Sequence, residues 1–238
     1  MTNLIFDFPA LQAHRGYHVT KTENTMDALE AAKQNNFLAC EFDVRLSQDG
    51  IPVLHHDRSM KRIYGNPRMI HMTNWSELKK TGICSLEDVF HSNRVPDFLN
   101  VEIKNESLND FHLEDKILQL VRQVKSNKQI LISSFNPFSL MFFQHRLPAL
   151  PRALIVNLRR HVQNPIYLRR MWLDPLLSTQ FLHIDYHSCD RRILFLNKLR
   201  GRKVSVWTVN DTVTTKGFLD AGIASVISDT VTPTMLKG

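Results

Sequence analysis

Short apolar runs alternate with helix-like stretches along nearly the whole chain, and this rhythm restricts the fold more than any other feature. The runs lie at 11–14, 38–44, 52–55, 99–103, 130–133, 153–156, 181–184, 204–209 and 225–227. Segments with helical periodicity fill most gaps, at 25–35, 86–91, 111–125, 138–146, 165–172, 191–199 and 212–221. Strands separated in this way by helices signal parallel β/α units. The third run breaks the pattern. Only residues 45–51 separate it from the second, and they contain Asp49-Gly50, a turn-forming dipeptide. A parallel crossover needs about a dozen residues or more, so the third run must return antiparallel on the second. Eight parallel strands remain in 238 residues, close to the roughly 250 of a typical (β/α)8 barrel. The fold expected is therefore a compact TIM barrel with a short antiparallel return strand after strand 2. Residues 58–84 form an insertion longer than a connector, expected to cap the barrel mouth. No linker interrupts the chain, so one domain over 1–238 is expected.

Composition narrows the classes of function. Hydrophobic residues make up 43% and charged residues 22%, enough apolar material for a core and too little charge for disorder. The net charge of +7 attracts anions: nucleic acid, an acidic membrane or a phosphate-bearing substrate. Much of the excess sits in the pairs Arg159-Arg160, Arg169-Arg170 and Arg191-Arg192. They are scattered and lack the interleaved aromatics of a nucleic-acid groove, so they read as solvated helix faces and no nucleic-acid partner is expected. Cys40, Cys84 and Cys189 suggest neither a disulfide framework nor a Cys-x-x-Cys metal site. No run approaches the ~18 apolar residues of a membrane span, and residues 1–9 lack the basic head and apolar stretch of a signal peptide. A reduced, cytoplasmic location is expected.

The chemistry concentrates on the second and third parallel strands. Glu41 and Asp43 are two apart on an apolar strand, so both carboxylates share one face while Cys40, Phe42 and Val44 take the other. In a barrel the apolar set faces the helices and the carboxylates face inward. Glu102 and Lys104 repeat the alternation in Val101-Glu102-Ile103-Lys104. Buried carboxylates need a cation, and three of them without cysteine or histidine among them make a hard oxygen site suited to Mg²⁺ or Ca²⁺. The same spacing also fits a buried ion-pair network with Lys104 and Arg15. His14-Arg15-Gly16 ends the first strand, at the rim where barrel active sites are built. His55-His56-Asp57 ends the return strand. A fold-back at Asp49-Gly50 places residue 54 opposite about 43 and residue 56 near 41, which brings His56 beside the carboxylates and turns His55 away. Two histidines near one metal can serve as general base and general acid. The three carboxylates, a divalent cation, Arg15 and Lys104 together leave one positive charge, matched to one phosphodiester anion.

These residues form an ordered series. His14-Arg15-Gly16, Glu23-Asn24-Thr25, Glu41-Phe42-Asp43-Val44 and Asp49-Gly50-Ile51-Pro52-Val53-Leu54-His55-His56-Asp57 are followed by Ser85-Leu86-Glu87-Asp88-Val89 and Val101-Glu102-Ile103-Lys104. Ser133-Ser134-Phe135, Trp207-Thr208-Val209-Asn210 and Ser228-Asp229 complete it. The series resembles the signature of glycerophosphodiester phosphodiesterases over most of the chain. The resemblance implies a barrel with its site at the C-terminal rim and His14 and His56 as the catalytic pair. It implies Glu41, Asp43 and Glu102 as metal ligands, Arg15 and Lys104 as phosphate-binding residues, and Glu23, Asn24, Phe135 and Trp207 as further substrate-binding residues. Physical alternatives stand beside three of these: Glu23 also suits a helix N-terminus, Asn24 or Thr25 suits the cap of the first helix, and Trp207 suits the core. Thr22 replaces a proline common before Glu-Asn-Thr, and the segment after Asp229 departs from the usual pattern, without removing a proposed catalytic group. His183 and Asp185 share a face of a middle strand and read as a structural pairing.

The implied reaction is metal-dependent hydrolysis of a small glycerophosphodiester to sn-glycerol 3-phosphate and an alcohol. The resemblance allows the adjacent glycerol hydroxyl as first nucleophile, through a cyclic phosphate that water opens. One alternative is a lysophospholipase D or C on acylated substrates, which alone would call for peripheral membrane contact. An apolar groove for it could come from Met60, Ile63, Tyr64, Met69, Ile70 and Met72. The other is a non-catalytic barrel that binds RNA or acidic lipid.

Overall fold

The structure is a computed structural model that describes residues 7–124, 128–159 and 171–237. Eight parallel strands follow one another around a closed barrel: β1 (Leu11–Ala13), β2 (Ala39–Leu46), β4 (Phe98–Ile103), β5 (Gln129–Ser134), β6 (Arg152–Val156), β7 (Phe181–Asp185), β8 (Lys203–Trp207) and β9 (Ser225–Ser228). β1 pairs with both β2 and β9, which closes the ring. The third run forms β3 (Pro52–Leu54), antiparallel on β2 as expected. Its register is displaced by one residue from the expected one: Val44 stands opposite Leu54, and the Asp43 carbonyl accepts from the His55 amide at 3.0 Å. The turn sets this offset. Residues 47–51 make a five-residue loop, closed by Ser47, whose amide donates to the Ile51 carbonyl and whose hydroxyl accepts from the Ile51 amide, both at 2.9 Å. β2 extends to Leu46, two residues past its expected end, because Arg45 and Leu46 gain partners on β3.

Helices α1 (Met26–Gln34), α4 (Leu86–His91), α5 (His112–Gln123), α6 (Pro137–Arg146), α7 (Arg191–Leu199) and α8 (Thr212–Asp220) cover the outside, and α9 (Pro233–Leu236) ends the described chain. Thr25 caps α1, accepting from the Ala28 amide. The Ser85-Leu86-Glu87-Asp88 motif is a capping box: Ser85 and Asp88 satisfy each other's backbone amides at the start of α4. The helix expected at 165–172, with Arg160, Arg169 and Arg170, lies outside the described residues except for Met171 and Trp172, which enter a turn. Arg159 stands 3.8 Å from Asp185, while Arg191 and Arg192 are exposed at the start of α7. Among the described residues, no helix is long and apolar enough to cross a membrane.

Strand alternation sorts the two faces of the barrel wall. Cys40, Phe42, Val44, Leu99, Val101 and Ile103 point outward into the main apolar core beneath the helices. The inward face is graded. Phe8, Ala39, Leu131, Ala153 and Phe181 form a separate apolar cluster, with the Phe8 ring edge-on to Phe98 and Phe181. Further up the strands is a polar layer, in which Asn100 donates to Gln12 and Gln12 to Ser225, each at 3.0 Å. The charged residues come last, at the C-terminal ends of β2 and β4. An electrostatic site thus sits on a dry base, where charge interactions are strong.

His183 belongs to the polar layer, in register with Ile155 and Ser205. The structural pairing expected of it is not found among the described residues: it is 1% exposed and neither ring nitrogen has a hydrogen-bond partner there. Asp185 does pair, with His187 and Arg159. Burial alone lowers the His183 pKa from 6.5 to about 3. The unfolded chain therefore binds more protons between these values, so stability present above about pH 6.5 is lost as the pH falls, by about 1.4 kcal/mol per unit. Urea unfolding at about pH 7.5 and about pH 5 should show that His183→Leu loses about 2 kcal/mol less than the parent over this step. Equal losses in the two proteins would remove His183 from the acid response.

The 58–84 segment carries α2 (Lys61–Tyr64), a 3-10 turn (Ile70–Met72) and α3 (Trp75–Lys80). It has its own small core, in which Val53, Met60, Ile70, Leu78 and Ile83 are buried. Met60 and Ile70 are each 1% exposed, so both pack the segment.

Candidate active site

Two tight turns build the rim above β1. His14 hydrogen-bonds through its amide to the Ser228 carbonyl at 2.9 Å, and the chain then reverses through Arg15 (φ 52) and Gly16 (φ 76). Gly16 is required on two counts. Its φ is left-handed, and a Cβ there would lie 2.6 Å from the Ala28 backbone carbon of α1. The reversal directs the Arg15 amide onto Glu41 Oε2 at 3.0 Å and its side chain across the mouth.

Glu41, Asp43 and Glu102 converge as the alternation predicted. Each offers a carboxylate oxygen within 4.8 Å of the others, and all three are buried. Asp43 is the most heavily engaged. Lys104 Nζ lies 3.0 Å and Arg15 Nε 3.3 Å from its oxygens, while the Asn24 side chain both donates to its carboxylate and accepts from its amide. Burial would raise the Asp43 pKa, but the charges of Lys104, Arg15 and His56 and the Asn24 hydrogen bond outweigh it and hold the group far below the carboxylate range. Glu41 behaves oppositely: burial, then repulsion from Asp43 and Glu102, pushes it well above its ordinary value. Its Oε1 is buried with no hydrogen-bond partner among the described residues. Lys104 also contacts Glu102. The ion-pair network considered as an alternative thus satisfies Asp43 and leaves Glu41 Oε1 without a partner among the described residues. An unpartnered buried oxygen in an all-oxygen donor set fits a hard divalent cation.

The two histidines flank this cluster, each backed by an aspartate. His14 Nδ1 lies 2.6 Å from Asp229 Oδ1, and its Nε2 is 3.9 Å from Glu41. Asp229 is steadied by Asn210 at 2.7 Å. Burial favours its neutral form, but the His14 and Asn210 hydrogen bonds and the charges of His14 and His18 bring its pKa to about 2. His56 Nδ1 lies 2.7 Å from Asp57 Oδ1, on the Asp43 side of the cluster. Burial, with Lys104 and Arg15, outweighs Asp43 and Asp57 and lowers the His56 pKa. His55 turns away, as alternation requires: its Nε2 lies 3.1 Å from the Ser59 carbonyl and its ring lies tilted beside Tyr64, 6.0 Å between centroids. Asp57 and Asp229 were not singled out from the sequence as histidine partners. The first adjoins its histidine, whereas 215 residues separate Asp229 from His14.

The remaining candidates divide. Glu23 accepts from Arg15 at 2.8 Å and from Arg62, so its carboxylate serves ion pairing and not the start of α1. Asn24 is 2% exposed, with its amide nitrogen donating to the Asp43 carboxylate and its oxygen accepting from the Asp43 amide, so it supports that carboxylate. Phe135 and Trp207 meet edge to face at 5.8 Å, and Lys104 Nζ lies 5.8 Å from the Phe135 ring. They form an aromatic wall beside Lys104, and Trp207 is only partly buried.

The family model of the glycerophosphoryl diester phosphodiesterase family matches residues 14–232. The chain belongs to that family. Membership makes it an enzyme of the phosphoric diester hydrolase class. A glycerophosphodiester phosphodiesterase of Caldanaerobacter subterraneus is 27% identical over 233 residues, 91% of this chain and 92% of its relative. A phosphodiesterase of Oleispira antarctica, solved with the product sn-glycerol-3-phosphate, has a TM-score of 0.82 at 27% identity, covering 96% of this chain and 95% of that one. A lysophospholipase D of Mus musculus is 30% identical over 138 residues, which is 50% of this chain and 40% of that protein.

Proposed function

We propose that this chain hydrolyses glycerophosphodiesters to sn-glycerol 3-phosphate and an alcohol, using a divalent cation and two histidines. The observation that carries the reading is the pair of aspartate-backed imidazoles on either side of a carboxylate cluster, with Arg15 and Lys104 between them. Glu41, Asp43 and Glu102 would hold Mg²⁺ or Ca²⁺, which when bound neutralises phosphoryl charge and polarises the phosphorus–oxygen bonds. Arg15 presents a planar fork to the phosphate oxygens, and Lys104 adds a point charge. Asp229 and Asp57 keep a proton on each Nδ1, so that each Nε2 faces the substrate. In the starting state one imidazole is neutral and the other carries both protons. The neutral ring removes the proton of the attacking hydroxyl, and the charged ring protonates the departing alkoxide. If the glycerol hydroxyl beside the phosphate attacks first, a cyclic phosphate forms and the alcohol leaves. Water then opens the ring with the two proton transfers reversed. Phe135 and Trp207 line the substrate, and segment 58–84 caps the mouth of a single domain.

Release of sn-glycerol 3-phosphate from glycerophosphocholine and glycerophosphoethanolamine, with Mg²⁺, with Ca²⁺ and with a chelator, tests the reading. Metal-dependent release is expected, with the deacylated diesters turned over faster than their lysolipid counterparts. Activity on the lysolipids alone would move the assignment to a lysophospholipase. Inactivity on both would leave the basic barrel as a binding protein.

A further inference from the structure

Arg62 has no part in the chemistry above, yet it is connected to both sides of it. It projects from α2, a single turn fixed by buried Met60 before it and by Tyr64, whose ring lies tilted beside that of His55. Its guanidinium makes three hydrogen bonds to two carboxylates. Nη1 and Nη2 grip Glu23 at 3.0 and 2.6 Å, and Nε reaches Asp57 at 2.6 Å. Both carboxylates also engage groups assigned to the reaction. Glu23 accepts from Arg15 Nη1 at 2.8 Å, and Asp57 holds His56 Nδ1 at 2.7 Å.

Resting on the function proposed above, we infer that Arg62 is a positioning residue. From the inserted segment it fixes Glu23 and Asp57 relative to each other, and through them sets the phosphate-binding fork of Arg15 and the ring of His56. The donor geometry requires arginine. A bidentate grip on one carboxylate with a further N–H at the guanidinium edge for a second is available to a planar fork and not to an ammonium point charge. Charge makes the same demand, since without Arg62 Glu23 would keep Arg15 as its cation and Asp57 would keep only the His56 ring. The consequence lies in geometry and not in fold stability. The Arg62 side chain is 47% exposed, and ion pairs at that exposure contribute little to stability. A displacement of about 1 Å in a catalytic group can cost about a hundredfold in rate.

The test uses Arg62→Met and Arg62→Lys in the full chain, with Asp57→Asn and the double variant Arg62→Met/Asp57→Asn. Arg62→Met should lower kcat about 10–100-fold with KM within a few fold, and leave the melting temperature within about 3 °C. Arg62→Lys should fall between Met and the parent. The double variant should be no slower than the slower single one, because residues acting as one unit are not additive. A readout independent of turnover is the ¹⁵N spectrum of the imidazoles in metal-free protein. The His56 signals should move in Arg62→Met, while those of His183, remote in the barrel interior, stay in place. Unchanged kcat, multiplicative losses or an unmoved His56 spectrum would each overturn the assignment. If the parent itself turns over no glycerophosphodiester, the functional reading fails, and the spectrum still decides whether Arg62 positions His56.

Discussion

Alanine at His14 or at His56 is expected to lower turnover of a glycerophosphodiester by about 10²–10⁴-fold, with the barrel intact. Both side chains stand at the rim and pack little apolar surface, so removing either should leave the unfolding transition near that of the parent. The two losses need not be alike in kind. An ester whose leaving group is a nitrophenolate departs without a proton, so it bypasses the general acid. Whichever variant regains most of its rate on that ester lacks the acid, and the one that stays slow on both esters lacks the base. The structure makes the two rings nearly equivalent, each with its Nδ1 on an aspartate, so kinetics must separate them. Parental activity in either variant would end the two-histidine reading.

How much of this was legible beforehand depends on the range of the interaction. Residue alternation placed Glu41, Asp43 and Glu102 on one face and Cys40, Phe42 and Val44 on the other, because side-chain direction in a strand is a local property. The crossover limit likewise forced β3 to return. The register of that return was not legible to within one residue, because it depends on how Ser47 closes the loop, and turn geometry was inferred only from Asp49-Gly50. Alternation still sent His56 to the site and His55 to Ser59, since the two point to opposite faces in either register. Tertiary partners were beyond reach. Asn24 reads as a helix cap or a substrate contact, and only the closed barrel shows its amide held by Asp43, with Thr25 as the cap. The Asp229–His14 contact joins the two ends of the chain through the β9–β1 seam. Arg62 belongs to no motif of the sequence, and only the fold of α2 shows it reaching Glu23 and Asp57.

Removal of the divalent cation and removal of the charge that binds it should act alike on rate and oppositely on stability. Chelation is expected to lower turnover by at least about 10³-fold, with recovery on adding Mg²⁺ or Ca²⁺, since the stabilisation of phosphoryl charge is usually the largest single contribution to such a barrier. Glu41→Gln should be as slow as chelated parent even in excess metal, because it alters a buried carboxylate oxygen of the cluster that has no hydrogen-bond partner among the described residues. In metal-free protein, however, Glu41→Gln should raise the melting temperature. Buried Glu41 is repelled by Asp43 and Glu102, and an amide of the same shape relieves that repulsion. Adding metal at a hundredfold excess over Kd should then stabilise the parent by about 2.7 kcal/mol and leave Glu41→Gln nearly unchanged. Such a crossover is the signature of a cluster whose electrostatic strain is maintained for binding. If metal shifted neither rate nor melting temperature in the parent, Glu41, Asp43 and Glu102 would be a structural network centred on Lys104. If Glu41→Gln were less stable than the metal-free parent, the carboxylate would be held by a contact other than the cation.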